Sequence, residues 1–210
     1  MKKRCYIAGA GEYCNDVFPG QEDYIIAADG GFAALKNQGI TPDLVVGDFD
    51  SLGYVPDHPN KISSPREKDD TDMMLAVKQG LELGYNSFII NGGSGGRLDQ
   101  TMANIQILAY LAENNARGVL VGNNESVTVV KDGEIEIAPN EAKDGIISVF
   151  SHAAKSEGIT LKGLKYTLSN ATLSSSYPNG VSNEFIGCNA AVSVENGTLI
   201  VIYPMCAQIV

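Results

Sequence analysis

The sequence has no tryptophan and only two histidines in 210 residues. Its four cysteines, Cys5, Cys14, Cys188 and Cys206, form no Cys-x-x-Cys pair, and none stands near a histidine at ligand spacing. That argues against a zinc site. No apolar stretch approaches 18 residues, so no membrane-spanning helix is expected. The basic opening residues Lys2-Lys3-Arg4 lead into a short apolar run that Gly9, Gly11 and Glu12 interrupt. That run lacks the form of a signal peptide. A soluble cytoplasmic protein with free thiols is the expectation. Positive charge is scarce, with 15 Lys and Arg against 25 Asp and Glu, for a net charge of −10. A nucleic-acid partner, which needs a basic patch, is not expected. A small phosphate ligand remains compatible, because a metal ion can bring positive charge locally. Hydrophobic residues make up 44% of the chain, enough for a folded protein of one large domain or two small ones.

Two halves differ in texture. Over residues 1–122, apolar runs at 5–9, 24–28, 44–47, 88–91 and 119–122 read as buried strands. Residues 31–38, 71–83 and 99–114 read as helices, the last with an apolar stripe of Met102, Ile105, Leu108, Ala109 and Ala112. Continuous apolar strands separated by helices predict an α/β domain with a mainly parallel sheet. Over residues 123–210 the runs are short and alternating, at 126–130, 134–137, 146–150, 158–161, 190–195 and 198–203. Lys131-Asp132-Gly133 and Glu195-Asn196-Gly197 punctuate them as turns, and Asn196-Gly197 predicts a hairpin. This half is expected to be a small all-β sandwich or barrel.

Acidic residues gather in three segments. Asp48 and Asp50 follow the strand at 44–47, in Gly47-Asp48-Phe49-Asp50-Ser51. If the backbone stays extended, residues i and i+2 project to one side. Two carboxylates about 4 Å apart then repel by about 4 kcal/mol at an effective dielectric near 20, which a cation relieves. A polar turn with both acids solvated is the plain alternative. Lys68-Asp69-Asp70-Thr71-Asp72 precedes a helix, where Asp and Thr serve as caps. Asp69 and Asp72 are also spaced to share a helix face.

The third segment is Asn91-Gly92-Gly93-Ser94-Gly95-Gly96-Arg97-Leu98-Asp99-Gln100, a glycine loop between strand and helix. Its glycines allow a ligand to approach the backbone, and the following helix start favours anions. The Gly-Lys-Ser/Thr ending of a P-loop is absent. Arg97 adds a fork-shaped donor for phosphate oxygens, and Asp99 adds a further carboxylate. Asp29-Gly30-Gly31 repeats the strand-then-Asp-Gly pattern, with a simple turn as its alternative.

Taken in order, Asp29-Gly30-Gly31, Pro42-Asp43, the Asp48–Asp50 segment, the Asp69–Asp72 segment and Gly92 to Asp99 resemble the thiamin pyrophosphokinase family. Gly180-Val181-Ser182-Asn183-Glu184-Phe185 is similar to a segment of that family's β domain, so the resemblance covers nearly the whole chain. It implies transfer of the pyrophosphoryl group of ATP to the hydroxyl of thiamin, releasing AMP. It further implies an α/β nucleotide- and metal-binding domain over residues 1–122 and a thiamin-binding β domain over residues 123–210. A homodimer is implied, with each active site at the subunit interface.

By position, the resemblance places Mg²⁺ on Asp48, Asp50 and Asp72, with Asp69 close by. Arg97 and Asp99 fall at the transferring phosphates, with Asp99 a candidate to orient or deprotonate the thiamin hydroxyl. Asp29, Gly30, Thr71, Gly92, Gly93, Gly95, Gly96 and Gln100 join the substrate-binding set, and Ser182 and Asn183 fall near thiamin. Two departures stand out. The family often has histidine where this chain has Gln100, and commonly has a stacking tryptophan for which Tyr203 is the nearest counterpart. A different metal-dependent phosphate enzyme, or a nucleotide- or thiamin-binding sensor without turnover, are the rival readings.

Overall fold

The computed structural model describes residues 4–65, 69–141 and 145–210. Lys68, part of the second acidic segment, lies outside the described residues. The chain divides into two compact units, Met1–Ile107 with Asn114–Asn123, and Leu108–Glu113 with Asn124–Val210.

The first unit is built on six parallel strands: β1 (Cys5–Ala8), β2 (Tyr24–Ala28), β3 (Leu44–Gly47), β4 (Lys61–Ser63), β5 (Ser87–Asn91) and β6 (Arg117–Val121). Their order in space is β6-β5-β1-β2-β3-β4, and every pair is parallel. β1 is buried at all four positions, as a strand covered on both faces must be. From β1 the chain steps outward through β2, β3 and β4, then returns to β5 on the other side of β1. That reversal is a topological switch point, where open parallel sheets of this kind bind ligands at the carboxyl ends of their strands. β4 was not legible in the sequence, because it is a three-residue edge strand exposed throughout.

Among the described residues three helices occur, α1 (Gly31–Asn37), α2 (Asp72–Glu82) and α3 (Leu98–Glu113), the last six residues of α3 belonging to the second unit. Thr71 caps α2, its hydroxyl accepting from the Met74 N–H at 3.1 Å. In α3 the expected stripe is partly displaced. Asn104, Ile107, Leu108 and Leu111 are buried, whereas Met102 is 51% exposed. Leu108 and Ala109 of the expected stripe are buried and Ile105 and Ala112 partly so; the buried side extends to Asn104, Ile107 and Leu111, which the apolar pattern did not single out.

The second unit contains β7 (Glu125–Ala138), β8 (Ile146–Ser151), β9 (Lys155–Lys162), β10 (Leu168–Ser174), β11 (Asn183–Glu184), β12 (Ala190–Pro204) and β13 (Gln208–Ile209). Pairing is antiparallel throughout. With the parallel strands of the first unit, this makes a mostly sheet α/β fold with mixed pairing. β12 pairs with β7 along one edge. Its other edge pairs with β9 through residues 191–196 and with β8 through Leu199–Ile202. Ile137, Ile147, Ile159, Val192, Leu199 and Val201 lie in the core they enclose.

The predicted hairpin at Asn196-Gly197 does not exist. Both flanking runs belong to the single strand β12, and Lys131-Asp132-Gly133 is likewise interior to β7. The two turn-like segments face each other across the ladder. Val194 pairs with Gly133 and Thr198 with Lys131, so residues 195–197 bulge opposite Asp132. Asp132 adopts φ 44° and its Oδ1 accepts from the Gly197 N–H at 2.8 Å. The left-handed conformers that residues of this type favour serve a bulge as well as a turn. β10 escaped the sequence reading because its polar residues do not alternate with apolar ones.

Candidate active site

The ends of β2 and β3 lie side by side, with Ala28 opposite Val46. Asp29 follows β2 in a left-handed conformation, φ 47°, and its N–H donates to the Val46 carbonyl at 2.8 Å. Gly47 ends β3 against it, where a Cβ would stand 3.1 Å from the Asp29 Cα. Asp48 comes next in the chain, and Asp72 opens α2. One carboxylate oxygen from each of Asp29, Asp48 and Asp72 lies within 4.8 Å of the others. All three side chains are partly buried. Asp29 Oδ2 accepts from the Ser51 hydroxyl, while its Oδ1 is buried with no hydrogen-bond partner among the described residues. A buried, unpaired carboxylate oxygen beside two further carboxylates is unfavourable unless a cation joins them. An all-carboxylate donor set suits a hard divalent ion such as Mg²⁺.

Asp29 therefore stands where the extended-strand argument placed Asp50. That argument fails at Phe49, which has φ 63° and is buried in the core of the first unit. The left-handed turn carries Asp50 away from Asp48's side, leaving it exposed, with its N–H donating to Asp48 Oδ1 at 3.1 Å. Neither Asp50 nor Asp69 is part of the triplet. Asp70 instead pairs with Lys78 at 2.6 Å.

A cavity of about 590 Å³ opens at the carboxyl ends of the strands. Of the residues singled out from sequence, Asp29, Thr71, Asp72, Gly92, Gly93, Gly95, Gly96, Arg97 and Gln100 line it. The glycine loop serves packing before it serves a ligand. A Cβ at Gly92 would lie 2.5 Å from the Tyr13 ring, and one at Gly93 2.7 Å from Leu120. Gly95 is crowded by the Glu12 carboxyl, and only Gly96, at φ 61°, faces open space. The loop is laced to the segment after β1, with the Gly11 N–H donating to the Gly92 carbonyl at 2.6 Å and the Glu12 N–H to the Ser94 carbonyl at 2.9 Å. Asn91 anchors both. Its Oδ1 accepts from the Cys14 and Gly92 N–H groups, and its Nδ2 donates to the Cys14 carbonyl and the Tyr6 hydroxyl. Gly30 contributes by its lack of a side chain, since a Cβ there would meet Ala10 and Ser51.

Arg97 and Asp99 form a fork. Arg97 Nε and Nη2 donate to Asp99 Oδ1 and Oδ2 at 3.1 and 2.5 Å. Hydrogen bonding from Arg97 holds the Asp99 carboxyl below the usual carboxylate range. A carboxylate with both oxygens engaged and its proton affinity lowered is a poor base. In this arrangement Asp99 is engaged by Arg97, whose Nη1 is not part of the fork. Gln100 donates its backbone N–H to the same Asp99 at 3.0 Å.

In the second unit, Asn183 is buried and its amide is spent on the chain itself. Its Oδ1 accepts from the Tyr166 N–H at 2.9 Å, and its Nδ2 donates to the Tyr166 carbonyl at 2.6 Å. It fastens the loop that carries Tyr166. Ser182 is exposed at φ 59°, its N–H donating to the Ser148 hydroxyl at 3.2 Å. Tyr203 is 2% exposed in the core of this unit, so no ring face remains for stacking. Of the two readings open to the nearest counterpart of the tryptophan, the burial favours a strand tyrosine in the core.

Sequence reasoning missed Gly9, Ala10, Gly11, Ser51 and Asn104, which also line the cavity. Gly-Ala-Gly directly after the first strand was the available signal. Asn104 had none, being a polar residue inside a helix; its Nδ2 donates to the Gly93 carbonyl at 2.6 Å.

Comparison with known proteins turns this geometry into a class. Residues 18–120 match the family model described as thiamin pyrophosphokinase, catalytic domain. Residues 133–200 match thiamin pyrophosphokinase, vitamin B1 binding domain. The class is that of transferases that make thiamine diphosphate. The chain belongs to the thiamin pyrophosphokinase family. It is 31% identical over 183 residues to thiamine pyrophosphokinase of Bacillus subtilis (strain 168), covering 84% of this chain and 85% of that protein. Thiamin pyrophosphokinase 1 of Caenorhabditis elegans is 26% identical, over 77% of this chain and 71% of the relative. The crystal structure of thiamine pyrophosphokinase from Bacillus subtilis superposes with a TM-score of 0.86 at 28% identity, covering 96% of this chain and 99% of that one.

Proposed function

We propose that the chain transfers the pyrophosphoryl group of ATP to the hydroxyl of thiamin, with Asp29, Asp48 and Asp72 holding Mg²⁺ beside the phosphates. The observation that carries the site assignment is the buried, unpartnered Oδ1 of Asp29 within a three-carboxylate group at the rim of a glycine-lined cavity. The ion supplies charge neutralisation at the phosphate oxygens. Phosphoryl-type transfer otherwise asks the protein for positioning. The Gly92–Gly96 loop offers backbone N–H groups to the phosphates, and Arg97 offers its free guanidinium edge. The thiamin hydroxyl oxygen forms a bond to the β-phosphorus, the bond from the β-phosphorus to the α,β-bridging oxygen breaks, AMP leaves with that oxygen, and the hydroxyl proton passes to solvent water. Gln100, on the cavity wall, is the side chain assigned to the acceptor hydroxyl. Asp50 and Asp69 supply further negative charge outside the triplet.

The second half is assigned as a β-sandwich that receives thiamin, a reading supported by the vitamin B1 binding match over residues 133–200. The cytoplasm is the assigned compartment, supported by four free cysteines. Among the described residues no helix is long and apolar enough to cross a membrane.

Incubation with Mg²⁺, ATP and thiamin is expected to give thiamin diphosphate and AMP in equal amounts. ADP with thiamin monophosphate would refute pyrophosphoryl transfer. A nucleotide panel in the same assay reads the base preference.

A homodimer completes the proposal. Leu98 and Met102 expose 76% and 51% of their surfaces on α3, and Ile146, Val181 and Ile186 are exposed in the second unit. Leu98 and Met102 stand four residues apart, so they share one face of α3. Sedimentation is expected to report twice the chain mass of 22.3 kDa. A monomer at micromolar concentration would remove the dimer from the proposal.

A further inference from the structure

We propose that Ser51 is the positioning residue for Asp29: its hydroxyl fixes one carboxylate oxygen so that the other is presented to the ion shared with Asp48 and Asp72. The inference rests on the metal reading given above and assigns a residue that the acidic motifs do not. Asp29 has its main chain fixed by the hydrogen bond to Val46. The terminal torsion of an aspartate is broad, so backbone anchoring alone leaves its two oxygens free to exchange places. Ser51 removes that freedom by donating to Oδ2. Oδ1 is then the oxygen left buried and unpartnered, and Asp29 belongs to the triplet.

Two neighbouring residues make this contact available. Phe49, at φ 63°, starts a turn in which the Leu52 and Gly53 N–H groups donate to its carbonyl at 3.1 and 3.2 Å. The turn that takes Asp50 out of the triplet therefore brings Ser51 onto it. Gly30 leaves the necessary room, since a Cβ there would lie 3.1 Å from Ser51 Oγ and 2.9 Å from the Ala10 Cβ. Carboxylates that bind metals are commonly held by such outer hydrogen bonds, and losing one lowers metal affinity by about 10–100-fold.

The test uses Mn²⁺ as the probe, titrated into the protein without ATP or thiamin and followed by electron paramagnetic resonance. Ser51→Ala is expected to weaken Mn²⁺ binding by about 10-fold or more. Ser51→Thr keeps the hydroxyl and is expected to bind like the wild type. Melting temperatures in EDTA are expected to agree among the three proteins, and excess Mg²⁺ to restore kcat in the alanine variant. Wild-type affinity in Ser51→Ala overturns the proposal. So does a loss in Ser51→Thr equal to that of alanine, which would make packing rather than the hydroxyl responsible. Absence of Mn²⁺ binding to the wild type would instead overturn the metal reading beneath it, whereas the product assay tests the reaction itself.

Discussion

An Asp48→Asn protein is expected to lose about 10³-fold in kcat while melting at the same temperature as the wild type or above it in EDTA. The two effects have one origin. Asp29, Asp48 and Asp72 bring like charges to within 4.8 Å of one another, which is unfavourable without a cation. Asparagine removes one of those charges and so relieves the ion-free fold. It keeps an oxygen in place for the Asp50 N–H, which now donates to Asp48 Oδ1 at 3.1 Å. The same change weakens the ion, whose charge stabilisation amounts to several kcal/mol, and each 1.36 kcal/mol is tenfold in rate. The stabilisation that Mg²⁺ adds to the wild type is expected to shrink in the variant. Steady-state kinetics and melting curves with and without Mg²⁺ check both signs. Near-normal turnover would remove Asp48 from the ion site. Asp50→Asn under the same conditions separates the two geometries, because a loss as large would mean that Asp50 swings into the triplet.

Gly31→Ala is expected to destabilise the fold by about 4 kcal/mol or more, the range reserved for a few specific mechanisms. Helix propensity alone gives the opposite sign, since alanine is better than glycine inside a helix by about 1 kcal/mol. Gly31 is the first residue of α1, and a Cβ there would stand 2.0 Å from the Ala8 carbonyl oxygen and 2.5 Å from its carbon. Ala8 is fully buried in β1, paired with Ala27 on one side and Asn91 on the other. No flexible side chain can give way, so helix or sheet must shift. At this chain length the melting temperature is expected to fall by about 8–16 °C. Thermal or urea denaturation measures it, and an unchanged or raised midpoint would show that α1 can lift off β1 without penalty.

Much of the arrangement was legible from residue order. Strand runs at 24–28 and 44–47 were read to the residue, because both are uninterrupted apolar runs, buried over the last three residues of β2 and throughout β3. The acidic segments were found because each follows a strand or opens a helix. Which acids meet was another matter. A left-handed Phe49 leaves no mark in composition, yet it decides that Asp29 rather than Asp50 joins Asp48. Asn183 and Tyr203 stand at positions similar to the family's ligand-binding segments, and long-range packing turns one into a loop fastener and the other into core. The glycine loop was visible as a backbone feature. That Gly92 and Gly93 clear space for Tyr13 and Leu120 depends on contacts far apart in sequence.

The bulge where residues 195–197 face Asp132 has a consequence for assembly of the second unit. A strand pair as long as β7 and β12 could slide by one residue, which would turn every inward side chain outward. Three residues against one can be accommodated in a single alignment only, and the Gly197 N–H finds Asp132 in that alignment alone. The bulge acts as a key in a keyway, fixing which residues of β12 meet β9 and which meet β8.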